Sequence, residues 1–502
     1  MKKSKWFILT TAILYAILFH RQGAGLNSFL FSLVLIVLLY NSRNGVKPAL
    51  HWYIAATGVC LSGLAVFYLG TGLPVFANIL SIALLSALTF EPEVSVLSAC
   101  AFSCYTLLTS LWYMAVGLFG WKSETIEYAH RPIWFKPGTG MIVLVIIIPF
   151  FYLYRIGNPL FYTFTEKINL DFISVSWLFC FIGGLILMFC VFRFRVIRRL
   201  LNLEQAIPNT LSPHASMGSK IRNLFALPQE VNAGMVALGI LNILSLLLNF
   251  LDCKFLFVDG QLPVGISYSG FVHQGVGSLI FSILIAVALL LFLFRGELNF
   301  VSGSKIVRIL AYVWIIQNLF MLFTCAYKNG MYIAEFSLTY KRLGVYAWQI
   351  LALFGLITTG IKLKKLKTNY FLVRINAWLC YVSLVGVSLI NWDGMITKYN
   401  LQHSSHIDYG YLLSLSYNSL PAVLESCKDV KVAEQYCHNA YSNFQLRELL
   451  KFQLTQFLEN QAQADWRSFC YSKWKVFKDL KGHSVSIYPF QHISGLNLLY
   501  IK

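Results

Sequence analysis

Residues 275–294 read GVGSLIFSILIAVALLLFLF, from Gly275 to Phe294, and Arg295 follows. None of those twenty positions carries an ionisable charge. A bilayer core is ~30 Å thick and a helix rises about 1.5 Å per residue, so about twenty apolar residues cross it. Lipid offers no water to backbone N–H and C=O groups, so such a run must be helical. Eleven similar runs lie on either side: 6–20, 25–40, 50–69, 72–90, 94–119, 138–156, 170–192, 231–251, 305–326, 344–361 and 375–391. The repetition predicts an all-α fold, a polytopic helical membrane bundle.

Composition agrees. Of 502 residues, 57% are hydrophobic and 12% charged, with a mean hydropathy of +0.64. Soluble chains carry roughly 25% charge. The 40 Phe and 27 Tyr suit lipid-facing surfaces with interfacial aromatic belts. A disordered chain, a secreted disulfide scaffold and an ordinary cytosolic enzyme are excluded.

The formal charge is +19. From Trp392 onward there are 11 basic and 9 acidic residues, so the excess sits on the loops of the membrane part. Cytoplasmic loops of membrane proteins carry extra Lys and Arg, and nucleic acid is not an expected partner. Arg193, Arg195, Arg198, Arg199, Lys220 and Arg222 place 193–230 in the cytoplasm; Arg295, Lys305 and Arg308 do so for 295–305. Lys362, Lys364, Lys365, Lys367 and Arg374 do so for 362–374. Two spans separate each pair of loops, so segments 252–274 and 327–343 and the tail after Asp393 fall outside. The amino end, with Lys2, Lys3 and Lys5, also favours the cytoplasm, which seven spans before residue 193 do not allow. One early run is therefore re-entrant or merged, or a further span lies near 120–137. The span count is eleven to thirteen.

Three parts follow: 1–230, membrane helices with a basic loop; 231–391, further membrane helices; and 392–502, a polar tail. In the tail, Leu446, Leu449, Leu450, Leu454, Phe457 and Leu458 recur at helical spacing. A second helix runs from about Asp465 to Leu480, predicting a small helical subdomain or an interfacial hairpin. Seven cysteines, including Cys100 and Cys104, lie in apolar runs and read as small hydrophobes. Cys427 and Cys437 could pair if the tail is outside the cytoplasm.

No phosphate-cradling glycine loop, His-Glu-x-x-His zinc motif, Gly-x-Ser-x-Gly elbow or Cys-x-x-Cys pair occurs. No cofactor and no metal are expected; His403 and His406 with Asp408 have metal-compatible spacing but no further ligand pair. Ionisable groups within the runs are scarce, and Asp252, Glu91 and Glu93 sit at span edges, which disfavours proton coupling. The external segments are where irregular structure could line a cavity: Gly260, Pro263, Gly265 and Gly270, with Tyr268 and His273, lie in 252–274, and Trp121, Glu124, Glu127, His130, Arg131 and Trp134 lie in 120–137. If there is a site, it is at the outer ends of the second-half spans. His273 opens a span there, Glu335, Lys341 and Arg342 lie in a loop, and Asp393 follows the last span. Together they would make a basic pocket for a phosphate or carboxylate, with Arg342 as a bidentate clamp. Alternatively each anchors its own helix end in the headgroup layer.

Four stretches carry a resemblance. They are Tyr268 to Gly275 leading to Phe294-Arg295-Gly296-Glu297-Leu298-Asn299-Phe300; Ala311-Tyr312-Val313-Trp314-Ile315-Ile316-Gln317-Asn318; Leu338-Thr339-Tyr340-Lys341-Arg342-Leu343-Gly344-Val345; and Asn391-Trp392-Asp393-Gly394 through Leu401 with Asp408 to Leu415. Together they resemble a bacterial family of polytopic membrane proteins, the domain-of-unknown-function family 4173, over about 230–420. Asp465-Trp466-Arg467-Ser468 is a weaker echo, and Gln274 stands where that family's pattern has Glu. The resemblance implies a multi-pass protein of the bacterial inner membrane and supplies no activity. Three readings stay open. A non-enzymatic scaffold, sensor or assembly protein is favoured. A transporter or lipid-moving protein would need Asn242, Asn249, Gln317 and Asn318 facing one bundle interior. A membrane-embedded transferase on a lipid-linked or anionic substrate would need the five polar residues in mutual reach. The expected partners are the bilayer and an anionic headgroup or small anionic ligand.

Overall fold

The computed structural model describes residues 2–43, 45–119, 147, 150–151, 153–166, 175–212, 227–259, 268–295, 297–301, 303–404, 407–426, 443–462 and 464–483. Outside them lie the stretch 120–137 with its six polar and aromatic candidates, most of run 138–156, Lys220, Arg222, Gly260, Pro263, Gly265, His406, Cys427 and Cys437. Among the described residues the chain is helical, with one isolated antiparallel bridge between Thr210 and Lys367 and no strand.

The helices are α1 Lys2–Phe19, α2 Leu26–Asn41, α3 Leu50–Leu69, α4 Gly72–Phe90, α5 Val96–Phe119, α6 Pro159–Glu166, α7 Val175–Phe192, α8 Arg198–Ala206 and α9 Leu227–Lys254. A π-helical turn, Phe255–Asp259, ends α9. Then come α10 Tyr268–Leu293, α11 Ser304–Phe336, α12 Tyr340–Lys365, α13 Asn369–Ser388, α14 Trp392–His403, α15 Tyr409–Ser414, α16 Leu420–Ser426, α17 Asn443–Ala462 and α18 Tyr471–His483. Eight described helices are long and apolar enough to cross a membrane, and α1, α2 and part of α10 are shorter apolar helices. Every apolar run that falls within the described residues coincides with one of these helices.

Contacts divide the chain into two units. The first is Met1–Leu201, Val385–Leu389 and Leu458–Lys502. Helix–helix association in lipid relies on close packing and interhelical hydrogen bonds, because lipid is as apolar as leucine. Unit 1 shows both. The ring of Tyr15 on α1 fills the space a Cβ at Gly184 of α7 would occupy, at 2.6 Å. Asn78 on α4 donates to Ser32 Oγ, Val59 O and Ser62 Oγ, tying α2, α3 and α4 together. The turn after α1 receives the segment before α18. There Leu26 N donates to Phe469 O at 2.9 Å, Ser468 Oγ donates to Gln22 Oε1 at 2.7 Å, and Tyr68 stacks on Tyr471. Gly25 allows this approach, since a Cβ there would meet Phe469 O and Ser468 O at 2.6 Å.

The second unit is Asn202–Leu384 and Ile390–Phe457. Its core gathers Leu238, Ile283, Leu290, Phe294, Val307, Trp314, Leu356 and Leu363 from α9, α10, α11 and α12. α9 and α11 run parallel, and α11 and α12 form a hairpin. One end of this unit collects the loops 202–212, 294–304 and 362–374. Leu211 N donates to Leu366 O, Arg308 Nη2 to Asn299 O, and Lys362 Nζ to Phe294 O. Lys362, only 2% exposed, and Asn299 both donate to Phe294 O just past the carboxyl end of α10, where positive charge opposes the helix dipole.

Two expectations are corrected here. Segment 327–343 is not a loop: α11 runs ten residues past the apolar run, so Glu335 lies in its last turn and Lys341 and Arg342 in the first turn of α12. Only Ser337, Leu338 and Thr339 connect them. The physical reason is that Lys328 does not need water, because it pairs with a carboxylate inside the helix bundle. Asp252 does stand in the last turn of α9, but it does not face water: its side chain is 9% exposed and buried against α11.

Candidate functional site

The far end of α11 and α12, opposite the basic loops of unit 2, carries a dense polar cluster built around Ser337. Ser337 has φ +74°, a left-handed value that a non-glycine residue adopts only when its surroundings enforce it. Four side chains do so. The guanidinium of Arg342 donates to the carbonyls of Phe336 and Ser337, which α11 leaves unpaired at its end, and lies 4.3 Å from the Tyr332 ring centroid. Asn400 on α14 treats Leu338 as a strand would: its Oδ1 accepts from Leu338 N at 2.7 Å and its Nδ2 donates to Leu338 O at 2.9 Å. Ser404 Oγ donates to Ser337 Oγ at 2.6 Å. Tyr411 Oη accepts from Tyr340 N at 2.9 Å.

Asp393 sits beneath this turn, 6% exposed, and accepts from Tyr340 Oη at 2.6 Å. It does not close a span; it lies in the first turn of α14, which Asn391 caps by accepting from Gly394 N at 3.0 Å. Asp408 caps α15 in the same way through Tyr411 N. Burial pushes the Tyr411 phenol up; its bond from Tyr340 N opposes that, and the Asp393 charge adds to it. Tyr411 therefore keeps its proton at neutral pH and serves as a neutral acceptor.

The five expected residues are placed as follows. Arg342 and Asp393 flank Tyr340, and both act electrostatically on Tyr411. Lys341 and Glu335 are exposed on the two helix ends beside the turn. His273 lies in the second turn of α10 rather than at its opening, and its side chain is outside the described part. Among the described residues no group of three or more His, Cys, Asp or Glu could hold a metal ion. Chemically, the cluster ties down a turn. The charge-bearing atoms it contains are on backbone carbonyls or on a phenol.

A second polar feature lies inside unit 2. On α9, Asn242, Ser245, Asn249 and Asp252 follow a 3-4-3 spacing, which puts them on one face. That face meets α11. Asn242 Nδ2 donates to Leu310 O, Trp314 Nε1 to Ser245 Oγ, and Asn249 Nδ2 to Gln317 O, at 3.0–3.1 Å. Lys328 Nζ pairs with Asp252 Oδ1 at 2.5 Å, and Thr324 Oγ1 donates to Asp252 Oδ2 at 3.0 Å. Of the four polar residues read from the sequence, Asn242, Asn249 and Gln317 lie along this seam, whereas Asn318, 2% exposed, donates to Trp314 O of its own helix at 2.7 Å; the ion pair was missed. Its partners are 76 positions apart, and only the continuation of α11 past residue 326 brings Lys328 to Asp252.

Helices of this length and polarity define a multi-pass α-helical membrane protein. Within that class the chain belongs to the family described as Domain of unknown function (DUF4153), whose model matches residues 30–426. A family of unknown function is what the sequence stretches implied; the number 4173 is not confirmed by this match. No curated protein and no solved structure matches the chain.

Proposed function

We propose that this chain is a non-enzymatic protein of the bacterial inner membrane with a scaffold, sensor or assembly role, its basic loops in the cytoplasm and the Ser337 turn outside. One observation carries the reading. The groups a transferase would need are engaged in structure: Arg342 on Phe336 O and Ser337 O, and Asp393 on Tyr340 Oη. Lys341, exposed beside the turn, is the cation left to meet an anionic headgroup or small anionic ligand. His273 and Glu335 complete the proposed contact surface.

The test uses Asp393→Asn and Arg342→Lys in a strain lacking the chromosomal copy. The structural reading expects lower thermal stability and lower abundance in the membrane, with any phenotype tracking abundance. Full abundance and unchanged melting, together with a lost phenotype, would instead assign these side chains to chemistry. A second reading, movement of a small solute or lipid, is favoured by one observation: the buried Asn242 and Asn249 share one seam with the backbone of Gln317 and an ion pair.

A further inference from the structure

The seam between α9 and α11 contains acceptors that the protein leaves unanswered. Asn242 and Asn249 are 8% and 7% exposed, and each turns its amide nitrogen to a backbone carbonyl of α11. Their Oδ1 atoms, and Oε1 of Gln317, are shut off from the surface without a hydrogen-bond partner. Flipping the two asparagine amides does not resolve this, because oxygen would then face the carbonyl oxygens of Leu310 and Gln317. Buried polar groups in native proteins are paired, and one without a protein partner points to a bound species. On α12, Gln349 is 6% exposed, and its one side-chain neighbour in hydrogen-bonding reach is the thiol of Cys325. It lies beside Cys325, which also feels the charges of Lys328 and Asp252.

The geometry gives these atoms a common direction. Asn242 to Asp252 is ten residues, about 15 Å along the helix, or about half of a bilayer core. The unanswered atoms of Asn242, Asn249 and Gln317 are oxygens, Arg308 Nε near the start of α11 is the one unanswered donor among the described residues of these two helices, and the track ends at a carboxylate neutralised by Lys328. On the other side of α9, Ile243 is 68% exposed and Leu247 55%, an apolar face suited to lipid.

We propose that the α9–α11 seam is a hydrated, acceptor-lined track that admits small hydrogen-bond-donating cations to the Asp252–Lys328 pair. The ligand class follows from the lining. Amide oxygens and a carboxylate receive donors, and they repel an anion that offers only lone pairs. The track rests on the unanswered oxygens; transport through it would rest on the solute-moving reading, which a flux measurement tests separately.

The experiment measures cysteine accessibility with the full chain in vesicles, in a background whose native cysteines are changed to alanine. Ser245→Cys and Asn249→Cys are compared with Ile243→Cys on the apolar face. Each is treated with a cationic ethylammonium or an anionic ethylsulfonate methanethiosulfonate. The expected result is modification of the two seam positions at least about tenfold faster by the cationic reagent, since buried amide oxygens accept from an ammonium and offer a sulfonate no donor. Ile243→Cys should react with neither. Protection of both seam positions from both reagents, or equal rates with the two, overturns the proposal. The unmodified chain provides a second measurement that needs no substitution. Hydroxyl-radical footprinting should oxidise Trp314, which bonds Ser245, more than the lipid-facing Phe250. The reverse order also overturns it.

Discussion

Replacing Asn400 with alanine removes both hydrogen bonds that hold the Leu338 peptide, at 2.7 and 2.9 Å. Leu338 is 6% exposed, so water does not readily take over. A buried donor or acceptor left unpaired costs about 1–3 kcal/mol, and two partly relieved ones about 2–4 kcal/mol together. At about 2–4 °C per kcal/mol for a unit of roughly 150–250 residues, the melting temperature should fall on the order of 5–15 °C. Ser337 would also lose support for its left-handed backbone. Thiol-reactive dye fluorescence during heating reads the transition in a background with the exposed Cys104 and Cys380 changed to alanine, because Cys325 is buried in the folded chain. Lys398→Ala, an exposed change on the same helix, is the control. If Asn400→Ala melts with Lys398→Ala, within about 1 °C, the turn does not depend on this clasp and the reasoning fails.

Further outcomes follow from other contacts. Breaking the buried pair singly, as Asp252→Leu or Lys328→Met, should cost about 3–5 kcal/mol, whereas the double variant should recover much of it; additive melting losses would show that the two side chains do not interact. Gly394→Ala should lower stability by about 1 kcal/mol, because a Cβ would meet Asn391 Nδ2 at 2.8 Å and displace the α14 cap; an unchanged melt would deny the cap. Acid should loosen the segment 465–483 from the turn after α1, within unit 1. Burial, reinforced by Arg21 and Arg467, holds the His20 imidazole below its ordinary value, and the Arg467 hydrogen bond holds Asp465 low. Both docked groups resist protons that the undocked ones take up, so docking is full above about pH 6.5 and weakens first through His20, then through Asp465 near the carboxylate range. Limited proteolysis between residues 462 and 471 should rise with acidity; cleavage independent of pH would contradict this.

Much of the fold was legible because lipid imposes a length and an apolar rule that a linear pattern displays. The described spans were visible as runs, yet their ends were not. Lys328 and Glu335 look like loop residues in a line of text, and only the burial of Lys328 on Asp252 explains why α11 continues past them. The polar cluster was half legible. Arg342 and Asp393 were among the residues singled out, and both stand beside Tyr340 in the cluster; Asn400 and Tyr411 stand in the quoted stretches that carried the resemblance. What could not be read was that these groups face backbone rather than solvent, since a left-handed serine leaves no signature in the sequence. Asn242, Asn249 and Gln317 were chosen as polar exceptions in apolar runs, and their common seam depends on α9 and α11 running in parallel.

The central claim is that the stretches around Ser337 and Asn400 form one clasp at the end of the α11–α12 hairpin. Its most direct test is a Ser337→Cys, Ser404→Cys pair, since the two hydroxyl oxygens are 2.6 Å apart. Mild oxidation in native membranes, followed by peptide mass spectrometry, should yield the 337–404 disulfide in most molecules, with neither cysteine crosslinking to Cys325. Both cysteines recovered as free thiols, alkylated without crosslinking, would contradict the account.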